Sequence, residues 1–299
     1  MKKQDIAALF GLAALWGASF LFIRIASPAI GPLLTIQGRV TIAAIALLIY
    51  MLIIRHKTQF GQRWKQYFII GALNAAIPFT LIATASLHLN SSMLAIINSM
   101  TPLFTALVVW GWTKEKLSSK KWAGIFLGIT GVIILVGWSP LPFTPKVLIA
   151  VIFSMLSTVS YGFAAVYAKK NFHGTPALSV AFGQQMGASL LLIPFTMFNL
   201  PDSKTVFTPM VILSVVGVAI LCTAIGYLLY FYLITSVGPT ITSSVTFMIP
   251  LFGIIWGGLF LKEQITIGMI VGLFVILSSI FLISDLQTER LRKTATSKE

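Results

Sequence analysis

Ten apolar runs separated by short polar connections account for nearly all of this chain. They are Ile6–Ile23, Leu33–Ile54, Tyr67–Leu87, Ser91–Trp112, Trp122–Val136, Val147–Ala168, Leu178–Phe198, Met210–Leu233, Thr240–Leu261 and Ile267–Ile283. An α-helix of about 20 apolar residues crosses a hydrocarbon core of about 30 Å. The helix is the expected form of each run, because lipid offers nothing to pair a free backbone amide. Of the ten, only the second contains a charge, Arg39. The pattern therefore predicts an all-α membrane protein of ten transmembrane helices.

Composition strengthens that reading. Asp, Glu, Lys and Arg make up 9% of the 299 residues and apolar residues 57%, against about 25% charged in a soluble domain. So few charges do not cover a water-facing surface. The formal charge of +14 would suggest nucleic acid in a soluble chain, but here the cations sit in the connections, where they report topology. With the N terminus inside, 16 Lys and Arg fall on the cytoplasmic side and 3, Lys146, Lys204 and Lys262, on the other. Both termini are expected in the cytoplasm of a bacterium, with the chain in its inner membrane. Lys2 and Lys3 before the first run resemble a signal peptide, but Pro28 just past Ala26 and Ser27 would hinder cleavage. The run is kept as a helix. Residues 285–299 form a short basic tail, expected to anchor at the membrane surface. The single cysteine, Cys222, rules out an intrachain disulfide and reads as a small buried residue.

The chain also repeats. An offset of 148 places Pro102-Leu103-Phe104 on Pro250-Leu251-Phe252, Lys114-Glu115 on Lys262-Glu263, Ser118 on Thr266 and Gly124 on Gly272; an offset of 145 places Trp16-Gly17 on Tyr161-Gly162 and Gly38 on Gly183. Five helices per copy is an odd number, so equivalent helices cross in opposite directions. Residues 1–140 and 141–284 are expected to be two inverted five-helix repeats, an arrangement that lets a central site open to either side in turn. Trp16-Gly17 with Ser19 and Phe20, Arg39 in the second helix, and the doubled Pro-Leu-Phe, Glu, Ser/Thr, Gly block together resemble the drug/metabolite transporter superfamily, specifically its EamA-type ten-helix exporters. That resemblance implies export of small metabolites, often amino acids, and leaves the substrate open.

Pro102 and Pro250 fall near mid-helix, where each removes the amide that would bond the carbonyl four residues earlier. Those carbonyls belong to Asn98 and Thr246, so the two kinks are expected as hinges beside a binding site at mid-membrane depth. Trp16, Ser19 and Phe20 in the first helix share a face, as do Ser157, Ser160 and Tyr161 in the sixth. Asn74, Pro78, Tyr227 and Tyr230 join them from the third and eighth. Aromatic residues with polar tips suit amphipathic solutes and receive an ammonium on their faces. Singly, each reads as ordinary packing or an interfacial anchor; as a cluster they point to a cavity. Arg39 and Gln184 occupy equivalent positions. Arg39 has two readings, contact with a substrate carboxylate, or snorkelling to the outer surface or bonding of loop carbonyls, while Arg24, nearer a helix end, is expected to snorkel. Glu115 and Glu263 are expected to be structural, each favouring the N-terminal dipole of the helix that follows it, with Ser118 and Thr266 as caps.

No Asp, Glu or His falls within the middle of a predicted helix, and proton relays in carriers use such groups. The expected function is a facilitator or uniporter exporting amphipathic metabolites, foremost neutral or aromatic amino acids, by alternating access. Dianions such as sugar phosphates are disfavoured by the shortage of mid-membrane cations. A multidrug or other metabolite exporter, or a non-transporting membrane assembly partner, is the alternative. No nucleophile with a base, aspartate pair or metal-ligand motif occurs in the helices, so an enzyme is not expected, nor a metal or cofactor. The expected partners are the small-molecule substrate and the lipid bilayer, without nucleic acid, and the expected state is a monomer.

Overall fold

Polar turn residues set the helix boundaries. Asn90, Ser118, Thr144, Thr208 and Thr266 each accept a hydrogen bond from a first-turn backbone N–H of the helix that follows, pairing one of the four amides a helix start leaves free. Gly31, at φ 83°, turns the chain between the first two helices, and Pro32 opens the second, where its missing N–H costs nothing. The structure, a computed structural model, describes residues 1–114, 117–139, 141–201 and 206–296, and the side chains of these except Thr113, Thr240 and 283–296. The expectations for Glu115, Lys116, Lys204 and the charged side chains of the tail lie outside the described residues.

The helices are α1 (Lys3–Ile30), α2 (Pro32–Ile53), α3 (Phe60–Ala85), α4 (Ser91–Trp112), α5 (Ser119–Gly137), α6 (Pro145–Asn171), α7 (Ala177–Met197), α8 (Pro209–Pro239), α9 (Ile241–Leu261) and α10 (Ile267–Thr296). Among the described residues the first nine are long and apolar enough to cross a membrane, and α10 adds a shorter apolar stretch, Ile267–Leu282. This is an all-α, multi-pass membrane protein built from two repeats. Pro28 lies inside the last turn of α1, and the α10 backbone stays helical to Thr296.

The two copies match in backbone detail. Lys114 and Lys262, equivalent at the 148 offset, both end their helices in the left-handed region at φ 55°. Helix α3 carries a π-helical stretch at Ala72–Ala76 and α8 one at Val218–Ile225, and the same offset superimposes them. Close approaches repeat too. A Cβ on Gly17 of α1 would lie 2.7 Å from the Phe252 Cβ and 3.0 Å from the Gly253 N of α9, whereas one on Gly162 of α6 would meet the Thr105 Cα and Val108 of α4 at 3.1 Å. Phe252 and Gly253 are the 148-offset equivalents of Phe104 and Thr105. The α1–α9 and α6–α4 contacts are thus the same contact built twice. Helices α5 and α10 close the bundle through Gly131 and Gly272, where a Cβ would meet the partner helix's backbone at 3.1 and 3.0 Å, the small-residue packing that membrane helices use.

The two glycines should respond differently to a methyl group. Gly17→Ala pushes against backbone that cannot yield, and overpacking of this kind costs about 1–3 kcal/mol. Gly162→Ala meets looser contacts and gains about 1 kcal/mol of helix propensity. Melting in detergent should fall clearly for Gly17→Ala and little for Gly162→Ala; equal losses would contradict the asymmetry.

Candidate functional site

Each of the two π-helical stretches is met by polar side chains from neighbouring helices. Thr223, near the centre of the 31-residue α8, donates its hydroxyl to the Val218 carbonyl five residues back, a carbonyl the widened turn leaves available. The Thr223 oxygen in turn accepts from Arg39 Nε of α2 at 3.0 Å. In the other copy, Asn74 within the α3 stretch donates to Gln184 Oε1 of α7 at 2.8 Å and lies 3.5 Å from the Tyr227 hydroxyl. Arg39 and Gln184 are inverted-repeat equivalents, so the same lever appears twice, charged in one copy and neutral in the other.

The aromatic walls obey the same symmetry. Trp16 of α1 meets Tyr227 of α8 edge-on with ring centroids 6.4 Å apart, and Tyr161 of α6 meets Phe79 of α3 edge-on at 6.4 Å. Trp16 and Tyr161 are equivalent, as are Phe79 and Tyr227. Tyr230 adds a second ring beside Trp16, at 5.5 Å. The Arg39 guanidinium carbon lies 3.6 Å from the centroid of the Phe79 ring, a cation–π contact.

Arg39 is 6% exposed, which removes the snorkelling alternative: the side chain turns into the bundle. Thr223 is its sole hydrogen-bond partner among the described residues. The two carboxylates whose side chains are described are engaged elsewhere, Asp5 with Ser236 and Tyr232 and Glu263 with Ser91 and Ser92. Arg24 is half-buried, and its guanidinium donates to the Ser86 carbonyl at the end of α3, where the freed carbonyls of a helix end draw a cation.

Several expected site residues turn inward to the backbone instead. Ser19 donates to the Trp16 carbonyl and Ser157 to the Ser154 carbonyl. Ser160 donates to the Leu73 carbonyl within the α3 π-helical stretch, so it supports the site's backbone, and Phe20 belongs to the main hydrophobic core. The proline kinks also differ from expectation. Helix α4 breaks at Ser99–Met100, and the Asn98 carbonyl accepts from the Thr101 hydroxyl at 2.7 Å; it is not left free, because a hydroxyl three residues on can replace the amide that Pro102 lacks. The Asn98 side-chain oxygen is buried without a partner. In α9 the interruption falls at Ser244, before Pro250, and Thr246 donates to the Ser243 carbonyl. The structure thus brings together Trp16, Arg39, Asn74, Tyr161, Gln184, Tyr227 and Tyr230, while the Ser19 and Thr246 hydroxyls bond backbone carbonyls of their own helices and Phe20 packs in the same core cluster as Phe79.

Sequence reasoning missed Thr223, Phe79 and Gln185. The 148 offset applied to Tyr227 points to Phe79; nothing local marks Gln185. An apolar groove of about 500 Å³ between α4 and α6, bordered by Leu107, Trp112 and Phe163 among others, includes none of the residues brought together at the centre.

Two inverted five-helix copies around a polar centre, with irregular backbone in equivalent helices, define the architecture of a membrane transporter. The chain belongs to the EamA-like transporter family, which it matches twice, over residues 5–137 and 148–285. It is 26% identical to the uncharacterized transporter YvbV of Bacillus subtilis, covering 95% of this chain and 92% of that one, and 26% identical to protein PecM of Dickeya dadantii, covering 98% and 96%. The uncharacterized inner membrane transporter YedA of Escherichia coli K12 is 27% identical over 84% of this chain and 80% of its own. A solved crystal structure shares the fold with a TM-score of 0.67 at 16% identity, covering 97% of this chain and 99% of that one.

Proposed function

We propose that this transporter exports neutral amino acids, those with apolar or aromatic side chains foremost, by alternating access across a bacterial inner membrane. Arg39 carries the proposal. A buried cation without a counter-charge is costly in a membrane interior, and a substrate carboxylate supplies that charge while accepting from the guanidinium's remaining donors. Tyr227 and Tyr230, with ring centroids 6.4 and 5.5 Å from that of Trp16, supply together with it aromatic surface suited to an apolar or aromatic side chain. A single cation suits a monocarboxylate better than a dianion. YedA, by its name an inner membrane transporter, supports the location, and the cation count supports cytoplasmic termini.

The test is efflux of radiolabelled solutes from proteoliposomes. Phenylalanine, leucine and methionine should leave in a protein-dependent way and sugar phosphates should not; a panel in which no monocarboxylate moves would end the reading. With no mid-helix Asp, Glu or His, transport should follow the solute's own gradient. An imposed pH gradient without a solute gradient should give negligible net flux, and uphill accumulation would overturn the facilitator reading.

A further inference from the structure

Gln185 follows Gln184 on α7 but is used differently. Gln184 accepts from Asn74, whereas Gln185 is fully buried and neither its side-chain oxygen nor its nitrogen makes a hydrogen bond. The Tyr227 hydroxyl approaches the Gln185 amide closely enough to interact with it but without the geometry of a hydrogen bond, and Tyr227 packs on Trp16 and reaches toward Asn74. Gln185 therefore stands at the edge of the polar centre that Arg39 enters from the other copy. A primary amide buried with both ends unpaired is among the more costly arrangements in a membrane interior, where water cannot relieve it. Its needs are specific: one donor for its oxygen and one acceptor for its nitrogen, close together.

We propose that Gln185 is the residue that makes the site selective for zwitterions. Its amide oxygen accepts from the α-ammonium and its amide nitrogen donates to the carboxylate that Arg39 anchors. This rests on the reading of Arg39 as a carboxylate anchor and adds a second requirement to it. An α-amino acid carries an N–H donor and a carboxylate on the same carbon, so it satisfies both ends of one amide at once. A carboxylate lacking the amine leaves the amide oxygen unpaired, and an amine lacking the carboxylate leaves the nitrogen unpaired. Rejection through an unpaired buried polar group is the stronger form of discrimination available to a binding site. Exchanging the amide's oxygen and nitrogen leaves the argument unchanged, since both ends are free.

The test compares phenylalanine with 3-phenylpropanoate, the same molecule without the amine, in proteoliposomes at neutral pH, where the acid is ionised and the amine of phenylalanine is protonated. Wild-type protein should prefer phenylalanine. In Gln185→Met, which keeps the length and removes the amide, phenylalanine flux should fall at least about tenfold, because both charge-assisted hydrogen bonds between the amide and the zwitterion are lost. Phenylpropanoate flux should change by no more than about twofold, because the lost bond to its carboxylate is offset by removal of the amide oxygen that this solute leaves unpaired, and the preference collapses. The solute-free melting temperature in detergent should hold or rise, because replacing an unpaired buried amide with an apolar chain removes a liability. Equal losses for both solutes, or a lower melting temperature with the preference intact, would show Gln185 to be a packing or water-bound residue and overturn the proposal. Wild-type protein that carries neither solute would remove the carboxylate reading, and this proposal with it.

Discussion

Arg39→Gln is expected to lower amino acid efflux about 100-fold, because removing one partner of a buried charge pair costs about 2–5 kcal/mol and 2.8 kcal/mol corresponds to a factor of roughly 100. The folded yield should not fall with it. In the solute-free protein Arg39 is a buried cation held by one hydrogen bond to Thr223 and the Phe79 ring, so glutamine removes an uncompensated charge and melting in detergent should stay level or rise. Arg39→Lys should restore little. An ammonium keeps the charge but not the planar fork that donates from Nε to Thr223 while presenting its other nitrogens elsewhere. The combined outcome, flux lost with stability retained, separates a substrate anchor from a structural cation, whose removal would lower both together. Flux within a few-fold of wild type in Arg39→Gln would leave the proposed substrate class without its main support.

How far the sequence foretells this arrangement depends on the kind of interaction. The repeat is legible because its markers are residues with demanding local roles. Gly17 and Gly162 sit where helices touch backbone to backbone, and Lys114 and Lys262 sit at left-handed helix ends. Such positions tolerate few residue types, so they recur in both copies, the glycines 145 residues apart and the lysines 148. The π-helical stretches are not legible. Ala72–Ala76 and Val218–Ile225 are compositionally ordinary, and their widened turns are met by partners in other helices, Ser160 at the Leu73 carbonyl and Arg39 at Thr223. The prolines of α4 and α9 draw attention because they are chemically conspicuous, yet at Pro102 a nearby hydroxyl makes good the missing bond. The central aromatic and amide residues were recognisable by type, but their pairing across copies needed three-dimensional contacts. Asp5 shows the same limit: a buried carboxylate joining the start of α1 to Tyr232 and Ser236 of α8 has no local signal, since its partners lie more than 220 residues away.

Glu263→Ala is expected to be the most destabilising single change in a connection between helices, about 3 kcal/mol, seen as a clear drop in melting temperature in detergent. The sequence places this carboxylate beside the helix it precedes, where Thr266 indeed serves as the cap. Its carboxylate turns instead to the first repeat. Oε1 accepts from the Ser91 amide at 2.7 Å and hydroxyl at 2.9 Å, and Oε2 from the Ser92 amide at 3.0 Å and hydroxyl at 2.5 Å. Those amides open α4, so a negative charge from one copy caps the positive end of a helix in the other. Four donors converging on one carboxylate also explain why glutamine is a poor substitute: its single oxygen serves one serine, and its amino group turns a donor toward the other's donors. Glu263→Gln should therefore lose most of what Glu263→Ala loses, although the two side chains have nearly the same shape. Ser92→Ala should cost about 1 kcal/mol in the wild type and close to nothing in Glu263→Ala, the non-additivity expected of residues in one network. Additive losses would mean that the serines and the carboxylate stabilise α4 independently, and that the two repeats are joined here by proximity alone.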